Sequence, residues 1–151
     1  MCTMDTLDLD KKVTARGFLG AFAYDEIPQR TNDDHFSLIV NTSPSSESGD
    51  HWLAIVYDKE TFYFIDSYGR KPNDATLPKQ FSFAIRKYIG ENRMKYNSKW
   101  LQQLTSNACG DYCVYFLQEF EKVGFKRLLR VFSQNLKKND KFVLNYVKKL
   151  V

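Results

Sequence analysis

Two stretches of the sequence carry side chains that could perform nucleophilic chemistry together. The first begins with His51 and ends with Asp66. An imidazole beside a carboxylate can transfer protons, because the carboxylate fixes the ring tautomer and stabilises the protonated ring. The second places Gln102 in a polar loop before Cys109, whose thiolate would be the nucleophile.

The pairing of His51 with Asp66 depends on a predicted hairpin. Residues 51–57 and 61–66 are rich in β-branched and aromatic side chains, and a short turn at residues 58–60 sets their register. Counting back from that turn, His51 lies within one or two positions of Asp66. The hairpin alone favours a simpler interpretation, in which His51 only begins a strand and Asp66 only ends one.

Cys109 is predicted to open a helix. A helix N-terminus supplies partial positive charge and free amide groups, which lower the pKa of a thiol and can hold a developing oxyanion. Gly110 has no side chain and would let a substrate approach the sulfur. Taken alone, a Cys-Gly pair at a helix start is more often structural than catalytic.

The elements that must position these residues give an α+β pattern, with three strands expected to form an antiparallel unit. The predicted strands are residues 35–41, 51–57, 61–66 and 99–104, and the predicted helices are residues 7–15, 78–89, 109–123, 125–132 and 139–150.

Composition limits the classes of protein to which the chain can belong. Its 151 residues, 43% of them apolar, suit a single domain over residues 1–151 with one core. No apolar run approaches the roughly 20 residues that span a bilayer, and no secretory signal is visible, so we expect an intracellular protein without membrane contact. Cys2, Cys109 and Cys113 do not make a disulfide framework, which also favours a reducing compartment.

The histidines and cysteines of the sequence do not indicate a metal site. His35 and His51 are isolated from each other, and no CxxC pair accompanies them. His35 has no acid partner that the sequence identifies, so we expect it to be structural. Cys113 follows Cys109 by one helical turn and is expected to be a buried packing residue.

Positive charge is concentrated in the last part of the sequence. Residues 122–151 carry nine Lys and Arg side chains against one acid, Asp140. The simpler interpretation is the solvated face of amphipathic helices. The alternative is a nonspecific contact surface for nucleic acid or an acidic partner.

The two stretches together resemble adenain, the adenovirus endopeptidase, and its relatives in viruses and virus-like Maverick/Polinton transposons. The similarity covers about residues 17–120. The motifs that carry it are His51-Trp52, Phe64-Ile65-Asp66-Ser67-Tyr68-Gly69, and Gln102 followed by Ala108-Cys109-Gly110.

The resemblance implies a papain-like fold of the adenain and Ulp type, with a mainly antiparallel sheet packed against helices. It implies His51 as general base and acid, Asp66 as its partner, Gln102 as oxyanion donor and Cys109 as nucleophile. The backbone amide of Cys109 would be a second oxyanion donor. Gln103 is a weaker alternative to Gln102, because SUMO proteases use a spacing shorter by one residue.

The resemblance further implies a cysteine endopeptidase that cuts near Gly-containing sites, with a viral or transposon capsid precursor as its protein substrate. The alternative is a Ulp-type isopeptidase acting on SUMO or another ubiquitin-like conjugate. Adenain is activated by DNA and by a disulfide-linked peptide, but no Cys lies between His51 and Cys109. We therefore expect no required cofactor, with DNA or a noncovalent peptide as candidate activators. We also expect a monomer, located in the virion or host nucleus if the protein is viral.

Overall fold

The computed structural model describes residues 2–150, which form one five-stranded sheet with helices on both of its faces. The strands are β1 (Phe18–Ala23), β2 (His35–Asn41), β3 (Trp52–Asp58), β4 (Thr61–Ile65) and β5 (Arg93–Tyr96), in that spatial order. The helices are α1 (Thr6–Lys12), α2 (Lys79–Ile89), α3 (Cys109–Arg130) and α4 (Leu136–Lys148), with a short 3-10 turn at Tyr24–Glu26.

Alternation along the central strands produces two cores, one on each face of the sheet. Phe36, Leu38 and Val40 of β2 face α2, whereas Ile39 faces the side covered by α3. The same period of two holds on the neighbouring strands, where Leu53 and Ile55 of β3 pack with the α2 side. Since α3 carries Cys109 at its start, the core beneath α3 fixes the position of that residue against the sheet.

The predicted α+β class is confirmed, and the sheet is more mixed than expected. β2, β3 and β4 are antiparallel, as predicted, but β1 joins β2 and β5 joins β4 in parallel. β5 can lie parallel to β4 because the chain crosses over through α2 between these two strands. β1 likewise runs in the same direction as β2. The mainly antiparallel arrangement therefore holds for the three central strands only.

One predicted strand is wrong. Residues 99–104 form bends and turns, and β5 lies earlier, at Arg93–Tyr96. All four residues of β5 are exposed, so this edge strand has no alternating apolar pattern that would reveal it. Residues 101 and 102 instead hydrogen-bond through their amides to the Ser67 carbonyl, which holds the segment as a loop beside the end of β4.

The helical predictions are close to the observed bounds. α2 begins at Lys79 after Pro78, and α3 continues through a kink at Gly124, where φ is +82°. The predicted helices at residues 109–123 and 125–132 are therefore one kinked element. Among residues 2–150, no helix has the length and apolar character that a membrane crossing requires.

Candidate active site

A tight hairpin brings His51 to Asp66. Lys59 and Glu60 form the turn between β3 and β4 with φ of +48° and +69°, the left-handed pair that suits a two-residue connection. The last register pair is Ala54 opposite Ile65, so His51 and Asp66 lie just beyond the paired region at the same end of the hairpin. There the Nε2 atom of His51 lies 2.7 Å from Oδ1 of Asp66.

Asp66 is fully buried, yet its carboxylate oxygens have several hydrogen-bond partners. The Nε atom of Arg70 donates to Oδ2 at 2.6 Å, and the backbone N–H of Tyr68 donates to Oδ1 at 3.2 Å. Burial alone would raise the pKa of Asp66, but hydrogen bonds and charge from His51 and Arg70 outweigh it and hold that pKa below its usual value. Asp66 is thus a carboxylate, and not a carboxylic acid, at neutral pH.

Aromatic stacking fixes the plane of the His51 ring. The Tyr68 ring is stacked on it, with centroids 4.7 Å apart and planes 14° from parallel. The Arg70 guanidinium lies over the Tyr68 ring, 5.2 Å from its centroid. Tyr68 and Arg70 lie two and four residues after Asp66; Tyr68 was identified from the sequence only as part of the family motif, and Arg70 was not singled out.

Cys109 begins α3 directly against the start of β3. The backbone N–H of Trp52 donates to Sγ of Cys109 over 3.3 Å. The sulfur also lies within 4.8 Å of a ring nitrogen of His51. Because Nε2 of His51 is bonded to Asp66, the other nitrogen, Nδ1, remains for a partner on the Cys109 side.

Cys109 also lies against a second cysteine. The structure pairs Cys109 with Cys2: their sulfurs are in contact and their Cα atoms lie 5.7 Å apart, a separation that a disulfide can span, and among the described residues Cys113 is the free cysteine. The sequence could not indicate this pairing, because 107 residues separate the two cysteines and only the fold brings them together. A sulfur in a disulfide is not a thiolate, so this form of the site cannot attack a carbonyl.

Gln102 lies in a loop that is tied to both halves of the site. Its Oε1 atom accepts a hydrogen bond of 2.5 Å from Ser67, the residue after Asp66. Its Nε2 atom donates to the carbonyl and the hydroxyl of Ser106, each at 3.1 Å. The Ser106 hydroxyl in turn accepts from the backbone N–H of Ala108, next to Cys109. The neighbouring Gln103 points elsewhere, since its Nε2 donates to Asp140 of α4.

Gly69 explains why the loop after Asp66 can approach the loop that carries Gln102. Its φ is +69°, and a Cβ atom at this position would lie 2.6 Å from the Lys99 carbonyl carbon and oxygen. Any larger residue would therefore push the two loops apart. Asn97 strengthens the same junction by donating to the Asp66 carbonyl at 2.9 Å.

Cys113 and His35 are the two residues that were expected to be structural. Cys113 is buried, as predicted, and burial raises the pKa of its thiol well above the usual value. His35 does have an acid partner, contrary to expectation: its Nδ1 lies 3.0 Å from Oδ1 of Asp58, across a rung of β2 and β3. That rung is at the far end of β3 from His51, so His35 is remote from the candidate site.

A known protein family matches most of the chain. The family described as adenovirus endoprotease matches residues 18–145. The chain belongs to the adenovirus endoprotease family. The family predicted from the sequence is therefore confirmed.

Known adenovirus endoproteases resemble the chain over most of its length. It is 30% identical to the protease of bovine adenovirus 7 over 118 residues, which are 70% of this chain and 57% of the relative. It is 27% identical to the protease of bovine adenovirus 4 over 133 residues, which are 80% of this chain and 64% of the relative. The chain thus spans about three fifths of the length of these curated relatives.

Solved structures share the fold of this adenovirus endoprotease relative at low sequence identity. The central domain of the uncharacterized Lpg1148 protein from Legionella pneumophila has a TM-score of 0.59 at 11% identity, covering 99% of this chain and 98% of that one. The ASFV pS273R protease has a TM-score of 0.51 at 13% identity, covering 84% and 58% respectively. ChlaDub1 from Chlamydia trachomatis has a TM-score of 0.53 at 12% identity, covering 78% and 60%. These matches support the predicted fold.

Replacing Arg70 should weaken this endoprotease-type fold in a pH-dependent way. Arg70→Gln removes a charged hydrogen bond to buried Asp66, so the free energy of unfolding at pH 7 should fall by about 1.5 to 3 kcal/mol. The low folded-state pKa of Asp66 contributes stability above the pKa of an unfolded Asp, and this contribution is lost as pH falls through the folded value. The difference between the variant and the unchanged protein should therefore shrink below about pH 4.

Urea unfolding of both proteins across this pH range measures the effect. Arg86→Gln is the matched control, because Arg86 is exposed on α2 and has no ion pair in the described part of the chain. It should change stability little at any pH. A loss in Arg70→Gln that stays constant down to pH 3 would show that the guanidinium does not act through the Asp66 charge.

Proposed function

We propose that the protein is a cysteine endopeptidase in which Cys109 forms a thioester with its substrate. The observation that carries the proposal is the placement of a His51–Asp66 pair, 2.7 Å apart, beside the sulfur at the start of α3. Family membership supports it independently. In the reduced protein, the Cys109 thiolate attacks the substrate carbonyl while His51 holds the proton.

The remaining steps use groups that surround the sulfur. His51 gives its proton to the leaving amine, which breaks the peptide bond and leaves an acyl group on Cys109. Water, deprotonated by His51, then hydrolyses the thioester. The backbone N–H of Cys109 is one of the first amides of α3, which have no carbonyl partner within a helix, so it is suited to bind the oxyanion. Asp66 holds the His51 ring throughout.

We propose Gln102 as the second oxyanion donor. Its amide belongs to the loop that ends at Cys109, and its contact with Ser106 supports a fixed orientation. Both observed bonds of Nε2 go to Ser106, so a substrate oxyanion would have to compete with one of them. Gln103 is a poorer candidate, because its amide is bonded to Asp140.

Gln102→Ala should lower kcat on the order of 100-fold to 1,000-fold with a smaller effect on KM, because the oxyanion forms mainly in the transition state. The alkylation rate of reduced Cys109 by iodoacetamide should change little, since that reaction needs no oxyanion hole. The measurements are steady-state kinetics and timed alkylation followed by mass spectrometry.

Two control variants separate catalysis from loop structure. Ser106→Ala removes a Gln102 partner but no donor to the oxyanion, so it should cost much less than Gln102→Ala. Gln103→Ala breaks only the bond to Asp140 and should leave kcat nearly unchanged. If Ser106→Ala reproduced the full loss, or if Gln103 were essential, Gln102 would not be the donor.

The proposed substrate is a protein cut next to a Gly-containing site, with a viral or transposon capsid precursor as the biological target. Gly110 supports this preference, because it adds no side chain beside the sulfur.

The proposed location is an infected cell, in the virion or host nucleus. All nine basic residues after Glu121 are exposed, which supports DNA as a candidate activator through phosphate contacts; a noncovalent peptide is the other.

A peptide that ends in Gly and carries an electrophilic group tests the function directly. The reduced protein should gain the probe mass on Cys109, and Cys113→Ala should do the same. A matched peptide ending in Leu should react more slowly. If a ubiquitin-like Gly-Gly reporter were cleaved and capsid-type peptides were not, the protein would be a Ulp-type isopeptidase instead. Absence of any adduct or cleavage in the reduced protein would reject the protease function.

A further inference from the structure

Residues 2–5 pass through the candidate active site, between the loop before His51 and the loop before Cys109. The backbone N–H of Cys2 donates to the carbonyl of Asp50, the residue before His51, over 3.4 Å. The backbone N–H of Thr3 donates to the carbonyl of Asn107, two residues before Cys109, also over 3.4 Å. The main chain of the segment is thus hydrogen-bonded to the loop that precedes His51 and to the loop that precedes Cys109.

Met4 completes the contact with the site. Its carbonyl accepts a 2.8 Å hydrogen bond from the indole N–H of Trp52. Its side chain lies against Gly110, where an added Cβ would meet the Met4 Cβ at 3.0 Å and its sulfur at 3.1 Å. Met4 therefore fills the space beside Cys109 that Gly110 leaves open, which is the space a substrate would need.

The segment is anchored at its other end. Asp5 caps α1 by accepting from the N–H of Asp8 at 2.9 Å, and Leu9 of α1 is fully buried in the core beneath α3. Asp10 binds α1 to β1 by accepting from the N–H of Ala21 at 2.9 Å. Because α1 is fixed to the body of the protein, Cys2 is held at a high effective concentration near Cys109.

We propose that residues 2–5 form a redox-controlled cap, in which the Cys2–Cys109 disulfide holds the enzyme in a latent form and reduction releases it. The inference rests on the proposed function, since it describes regulation of the same site. The disulfide removes the nucleophile, and Met4 with the neighbouring main chain occupies the substrate path. With the site closed in this way, Cys109 has no exposed surface.

The chemistry is thiol–disulfide exchange with a small-molecule disulfide such as oxidised glutathione. The Cys109 thiolate attacks one glutathione sulfur and releases one glutathione thiolate. The Cys2 thiolate then attacks the Cys109 sulfur of the mixed disulfide and releases the second. Two protein thiols are oxidised and one glutathione disulfide is reduced to two thiols. An excess of reduced glutathione or a dithiol runs the same steps backwards and restores the Cys109 thiolate.

The test follows thiols and activity separately in buffers of graded reduced-to-oxidised glutathione ratio. Thiols are trapped with an alkylating agent and counted by mass spectrometry of the intact chain and its peptides. In the unchanged protein, a peptide pair joined through Cys2 and Cys109 should appear as peptidase activity is lost, and a dithiol should reverse both changes. Cys113→Ala should behave identically, because Cys113 takes no part.

Cys2→Ser supplies the discriminating comparison. It cannot close the internal disulfide, so at the glutathione ratios where the unchanged protein forms that disulfide, Cys109 of the variant should stay mostly free and the variant should keep activity. Only at more oxidising ratios should its Cys109 carry glutathione and the activity be lost. The proposal is overturned if both proteins lose activity along the same curve, or if Cys2 and Cys109 remain alkylatable under oxidising conditions. It is also overturned if both thiols are protected without a disulfide and a chelator exposes them, since Cys2, His51 and Cys109 would then hold a metal.

Failure of the proposed function gives a different result. The reduced protein would then lack peptidase activity, while the mass measurement would still show whether the disulfide forms.

Discussion

Replacing Cys109 by Ala should abolish peptide cleavage in the reduced protein, with a loss on the order of 10⁶-fold, the size seen when a catalytic nucleophile is removed. Of the other two cysteines, Cys113 is buried one turn further along α3, and Cys2 belongs to residues 2–5 and not to the helix. Initial rates with a Gly-containing peptide, measured in the presence of a dithiol, determine the loss. Circular dichroism and thermal unfolding should show that the fold is retained, since Ala is smaller than Cys and has a higher helix propensity.

Cys113→Ala is the control for this prediction, because Cys113 lies one turn further along α3 and is buried. The Cys113→Ala variant should unfold at a somewhat lower temperature but cleave the peptide at nearly the same rate as the unchanged protein. In the reduced protein, iodoacetamide should label Cys109 before Cys113, whose thiol has a raised pKa. Equal labelling of both residues, or full activity in Cys109→Ala, would remove Cys109 from the mechanism.

His51→Ala should reduce the rate of peptide cleavage on the order of 10⁴-fold, because the reaction loses both the base and the acid that protonates the leaving amine. Asp66→Asn should lose less, about 100-fold, because an amide oxygen can still accept a hydrogen bond from the ring and hold its orientation. The measurement is kcat/KM for both variants at pH 7 with a dithiol present. The inequality follows from the geometry, since Asp66 contacts His51 and not the sulfur.

The sheet contains a matched control for this pair. His35 and Asp58 form a second His–Asp contact, at 3.0 Å, at the end of β3 opposite to the one that contacts Cys109. His35→Ala should therefore leave kcat/KM nearly unchanged while lowering thermal stability slightly. If His35→Ala inactivated the protein and His51→Ala did not, the assignment of the base would be wrong.

The sequence by itself determined the class, the family and the central hairpin. A high content of β-branched and aromatic residues located β2, β3 and β4 to within a residue, because most of these side chains are buried against one or other face of the sheet. The short turn then placed His51 within one or two positions of Asp66, since register in a short hairpin is a local property. The start of the helix at Cys109 was equally local, because α3 packs a long apolar face from its first turn.

Only the tertiary structure decided the contacts that cross between distant segments. Edge strand β5 is exposed on every residue, so packing against β4, and not any sequence pattern, creates it. The His35–Asp58 rung follows from the register between β2 and β3, which no turn connects locally. Cys2 meets Cys109 because α1 docks on the core beneath α3 and directs residues 2–5 into the site. Such contacts depend on how whole elements pack, which one-dimensional spacing does not encode.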